Sequence, residues 1–87
     1  MHPSAKPAKR VRWEVKPAGR FIGWVVTRNG YVLGQRFFKY AAIGDAVTEC
    51  KCELEQDDVR SELVIKNRNG RIADTRTYGA DPREIRG

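Results

Sequence analysis

Eighty-seven residues make one domain, and a chain this short buries only ~60% of its extended surface or slightly more, which leaves little room for an enclosed cofactor pocket. A hydrophobic content of 40% argues against wholesale disorder, and a net charge of +6 points toward a polyanionic partner. Two cysteines cannot build a disulfide scaffold, no apolar run approaches the ~18 residues of a membrane span, and the N-terminus lacks a signal-peptide core, so a soluble cytoplasmic protein without membrane contact is expected.

Met1–Lys9 is rich in Pro, Ala and Lys, carries the only histidine, His2, and reads as a disordered basic tail. Val11, Trp13 and Val15 then alternate with Arg10, Arg12, Glu14 and Lys16, the period of a half-buried strand. Pro17-Ala18-Gly19 ends it. From Ile22 to Phe37 two β-prone runs flank Asn29-Gly30, a strong type I′ hairpin signal because both central residues need positive φ. With that turn, Arg28 faces Tyr31, Val26 faces Leu33, Trp24 faces Gln35 and Ile22 faces Phe37.

Lys39 to about Gln56 reads as the one helix. Ile43, Ala46, Val47, Cys50 and Leu54 share one helical face, and no strong N-cap precedes them. Cys50 is expected in the core and Cys52 as a partly exposed thiol. Ser61–Thr77 forms a second hairpin about Asn69-Gly70, and a two-residue loop there puts Ile72 on the face of Leu63 and Ile65. Residues 79–87 read as a loose tail, so the domain is 10–78. The implied fold is α+β, an antiparallel sheet in the order β-β-β-α-β-β with one helix on one face. Its expected core is Trp13, Val15, Ile22, Trp24, Val26, Leu33, Phe37, Ile43, Val47, Cys50, Leu54, Leu63, Ile65 and Ile72.

The segment Ser61–Ile72, followed by Thr77-Tyr78-Gly79-Ala80-Asp81-Pro82, resembles the signature of a family of short bacterial and phage proteins, domain of unknown function number 2188. Gly23-Trp24-Val25-Val26 and Trp13-Glu14-Val15-Lys16-Pro17 are similar to two of its strands, so the resemblance spans about residues 13–82. Ile43-Gly44-Asp45-Ala46 departs from the Ala- and Glu-rich helix usual there. The resemblance implies this fold and a prokaryotic or phage setting. It implies no activity.

Catalytic machinery is not expected. His2 in a mobile tail cannot serve as a positioned base. No spacing suits zinc, no glycine-rich loop suits a phosphate, and Asp57-Asp58 reads as a solvated turn rather than a metal site. Neither a cofactor nor a small-molecule substrate is expected. Charge is the sharper signal. Residues 1–40 hold nine Lys/Arg against one acid, whereas residues 41–87 hold eight against ten. Nucleic acid would then meet a basic sheet face and hairpin tips made by Arg10, Arg12, Lys16, Arg28, Tyr31, Arg36, Lys66, Arg68 and Arg71, with the acidic helix behind. Outward strand positions are polar in any soluble protein, so the competing reading is a protein-interaction module. Phe21, Val25, Val32, Phe38 and Val64 would form an apolar strip on the uncovered face, fit for a homodimer or for a small inhibitor or adaptor.

Overall fold

The computed structural model describes residues 10–19 and 22–79. The expected N-terminal tail 1–9, the expected C-terminal tail from 80 onward, Arg20 and the candidate Phe21 lie outside the described residues. Five strands and one helix follow in the expected order: β1 (Val11–Pro17), β2 (Trp24–Arg28), β3 (Tyr31–Arg36), α1 (Lys39–Asp57), β4 (Ser61–Lys66) and β5 (Ile72–Tyr78). They form an α+β fold with one five-stranded sheet in the order β3-β2-β1-β4-β5.

The sheet is mixed, not wholly antiparallel. Both hairpins and the β1–β2 pair are antiparallel, but β1 and β4 run parallel, with Trp13 opposite Leu63 and Val15 opposite Ile65. The helix explains the exception. It leaves β3 at one edge and returns the chain beside β1, the long crossover that a parallel pair requires. β1 therefore becomes the central strand, and its inward residues Trp13 and Val15 are fully buried.

The helix meets the sheet through Ala42, Ala46 and Cys50, all buried, while Ile43 and Val47 only flank the core. Of the expected face, Ala46 and Cys50 are buried, Ile43, Val47 and Leu54 are only partly buried, and Ala42 joins the contact. Two buried indoles, Trp13 and Trp24, fill the sheet side. Small helix residues opposite them let the layers close at ordinary packing density. Burial also pushes the Cys50 thiol above its usual pKa.

Two β-bulges displace the outer strands. Asn29 and Gly30 have φ of 49° and 89°, as a type I′ turn demands, and Arg28 does face Tyr31. Leu33 is then an extra residue, so Val26 faces Gly34 and Trp24 faces Arg36. The bulge turns Arg36 to the helix side. In the second hairpin Asn67 donates its N–H to the Arg71 carbonyl, which makes the loop three residues long. Ile72 then pairs with Lys66 on the helix-free face, and a bulge at Ala73 restores Ile65 opposite Asp74. Leu33, Phe37 and Ile72, all expected in the core, are exposed as a result, and Ile22, also expected there, lies exposed ahead of β2.

Candidate functional site

The helix-free face is not the cationic plane that the alternation implied. Glu14 stands at its centre. Its carboxylate accepts a hydrogen bond from Arg12 Nε at 2.9 Å and lies 3.8 Å from Lys16 Nζ and 3.9 Å from Lys66 Nζ. Arg12 also reaches Glu62 at 3.7 Å. Burial raises the Glu14 pKa, but the Arg12 hydrogen bond and the charges of Lys66, Arg12 and Lys16 outweigh it and hold the carboxyl below its ordinary value. Glu14 and Glu62 offset two of these three cations, so the face holds a mixed-charge cluster with one cation in excess.

Two more candidate cations lie on the other face. Arg28 Nη2 pairs with Glu53 of the helix at 2.8 Å, and its guanidinium lies 6.0 Å from the centre of the Trp13 ring. Arg36 grips Asp45 through Nε at 2.7 Å and Nη2 at 3.1 Å. Arg10 is spent on backbone carbonyls of Tyr78 and Ser61, at 3.1 and 3.4 Å. The apolar strip does not assemble either. Val64 is only 2% exposed, with Glu14 and Thr75 as its cross-strand neighbours, while Val25 is half-buried and Val32 is exposed. Phe38 lies at the start of the helix and not among them.

Charge is divided along the strands instead of between the faces. The first turn of α1 contains no acid and the last turn no base. Glu53, Glu55 and Asp57 crowd its C-terminal end, with Asp58 capping it in the left-handed conformation. These charges add to the backbone dipole of the helix rather than oppose it. The positive end of that axis is where β2 and β5 begin and β3 and β4 end.

Lys39, Phe37 and Tyr40, which the sequence did not mark as a site, converge there with Arg68, Arg71 and Phe38, which it did. Lys39 Nζ and Arg68 Cζ lie 5.0 and 5.3 Å from the Trp24 ring centre, and Lys39 also reaches Asn67 Oδ1 at 3.4 Å. Among the described residues neither cation has a carboxylate partner, nor does Arg71 in the same loop. An indole holds such a cation in place without neutralising it. Beside them Phe38 stacks on Tyr40 with ring centres 5.4 Å apart, and Phe37 meets Phe38 edge-on at 4.8 Å. Ile22, Phe37, Phe38 and Tyr40 are 53–74% exposed. Phe38 is the N-cap residue and supplies no capping side chain.

Local backbone explains the display. Gly23 has φ of +111°, and a Cβ there would stand 2.6 Å from the Arg36 carbonyl oxygen. The close approach turns the chain at Phe37 just before the helix begins, so the aromatic run has no layer to enter. The run Phe37-Phe38-Lys39-Tyr40 was the available signal. It falls outside the apolar face of the helix, and three rings in four residues cannot all reach a one-helix core.

Among the described residues, no group of three or more His, Cys, Asp or Glu side chains could hold a metal ion, and no helix is long and apolar enough to cross a membrane. No family model, curated protein or solved structure matches the chain.

Proposed function

We propose that the protein is a non-catalytic binder of single-stranded nucleic acid, and that it uses the positive end of the sheet rather than the helix-free face. The observation that carries this reading is the exposed Phe38–Tyr40 stack beside Lys39, Arg68 and Arg71. Unpaired bases stack on such rings at ~1–3 kcal/mol each, and the cations supply the salt-dependent phosphate term. A duplex keeps its bases stacked and would gain only the second. The acidic end of the helix would point away from the strand and orient the protein on it. Kinship with family number 2188 is proposed on the resembling segments alone and adds no activity.

Fluorescence anisotropy with labelled single-stranded and duplex oligonucleotides across a salt series tests this. The wild type should prefer the single strand. Phe38→Ala with Tyr40→Ala should weaken binding by roughly 10-fold or more. Arg68→Ala and Arg71→Ala should each reduce the salt slope by about 0.7. Arg12→Ala, on the helix-free face, should change little. No binding at low salt, or equal losses from Arg12→Ala and Arg68→Ala, would refute the proposal. Ile22 and Phe37 extend the same patch with apolar surface, which favours a protein partner as the second reading. If the aromatic variants instead dissociate a dimer seen by light scattering, that reading takes the site.

A further inference from the structure

The helix carries an acidic ladder at every fourth position, Asp45, Glu49 and Glu53, which follows one stripe of its surface. The two outer rungs each hold an arginine delivered by the sheet. Asp45 accepts both bonds of the Arg36 fork, and Glu53 takes Arg28, whose guanidinium lies over the Trp13 ring. The middle rung has no such partner among the described residues. On the sheet, the bulge in β3 brings Gly34 opposite Val26, so β3 itself presents no side chain at that register position.

What remains there is a cleft of about 380 Å³ between β3 and α1, lined by Trp13, Val26, Leu33, Gly34, Asp45, Thr48 and Glu49. Its volume is at the lower end of the range for small-ligand sites. Trp13, Val26 and Leu33 make an apolar wall. The helix contributes Asp45, Thr48 and Glu49 to the lining, two of them carboxylates. Asp45 is already committed to Arg36, which leaves Glu49 as the open acceptor.

We propose that this cleft binds an alkylguanidinium group, so that an arriving cation completes the missing rung. The molecule provides the pattern itself: Arg36 and Arg28 each rest a guanidinium on a helix carboxylate, and Arg28 also lies beside the Trp13 ring. The alkyl part lies along Leu33 and Val26, and the head meets Glu49. The site is distinct from the proposed nucleic-acid surface, and its acidic character would repel a phosphate backbone.

Agmatine is the probe, with N-carbamoylputrescine, which keeps the ammonium but carries a neutral urea head, as its control. In ¹⁵N-correlated NMR spectra the two tryptophan indoles should give separate signals. Agmatine should shift the Trp13 indole and the Thr48 and Glu49 amides saturably, leaving Trp24 in place, and N-carbamoylputrescine should bind at least tenfold more weakly. Glu49→Gln, at an exposed helix position, should weaken agmatine about tenfold while the fold stays intact. Gly34 has no neighbour within 4 Å of an added Cβ and needs no positive φ, so Gly34→Leu should fold, fill the cleft and abolish the shifts. A short peptide with one central arginine distinguishes a protein-borne guanidinium from a free one. Tighter binding than agmatine assigns the cleft to a partner protein, and weaker binding assigns it to a small molecule. Shifts that never saturate, or that survive both Glu49→Gln and Gly34→Leu, overturn the proposal.

Discussion

Replacing Glu53 should expose how much of this small fold rests on one carboxylate. Its side chain is 19% exposed, accepts hydrogen bonds from Trp13 Nε1 at 3.3 Å and Arg28 Nε at 3.0 Å, and forms an ion pair with Arg28 Nη2 at 2.8 Å. Glu53→Ala strands the indole N–H of a residue that is itself buried, which costs about 1–3 kcal/mol. The Arg28 side chain is about one-third exposed, so solvent screens its pair and the loss there is at most ~1 kcal/mol. The expected total is about 1–4 kcal/mol. Glu53→Gln keeps an acceptor for the indole and should cost at most ~1 kcal/mol. At ~4–8 °C per kcal/mol for a domain of this size, the alanine variant should melt at least ~4 °C below the glutamine variant, which itself loses at most ~8 °C. Circular dichroism during heating and urea titration measures both. Equal losses from the two variants would show that charge, not the indole acceptor, dominates. A loss below ~0.5 kcal/mol for Glu53→Ala would refute the reasoning outright.

Gly23→Ala should cost ~2 kcal/mol or more, because it combines an unfavourable φ with a backbone clash at Arg36. Gly30→Ala has a similar φ sign but nothing near the added carbon, so it should cost about half as much in the same melt, and equal costs would argue against the clash. Glu14 has a folded pKa below its unfolded one. Its contribution to stability is therefore complete above ~4.3 and disappears as pH falls through the folded value. Urea midpoints across acid pH should show Glu14→Gln with a shallower decline than the wild type below ~4.3, and parallel curves would contradict the ion-pair account.

Strand and helix limits were legible because local rules decide them. The alternation of Val11, Trp13 and Val15 and the Asn29-Gly30 turn both act over a few residues. The two bulges were not legible. One extra residue at Leu33 and one at Ala73 change which face a side chain takes, and no local preference marks them. That single-residue slip removed Arg36 from the helix-free face and exposed Phe37 and Ile72. The parallel β1–β4 pair was hidden for a different reason. Its partners lie about fifty residues apart, and hydrophobic pattern alone does not say which edge the chain returns to. The candidate site suffered from both problems. Summing charge over residues 1–40 could not reveal that Glu14 gathers three cations, or that Asp45 and Glu53 claim Arg36 and Arg28. Lys39, Phe37 and Tyr40 matter through their position beside Arg68 and Trp24, a meeting made only by the crossover.

The parallel seam at β1 also governs how the molecule can be made. Residues 11–36 can form a three-stranded meander as soon as they leave the ribosome, since every pairing in it is between sequence neighbours. One rim of that meander is the strand destined for the centre, and it stays unpaired until Ser61–Lys66 has been synthesised. During that interval its open backbone groups can accept a strand from any nascent chain nearby. Crowded synthesis should therefore favour misassembly through β1 more than exposure of either mature edge would suggest.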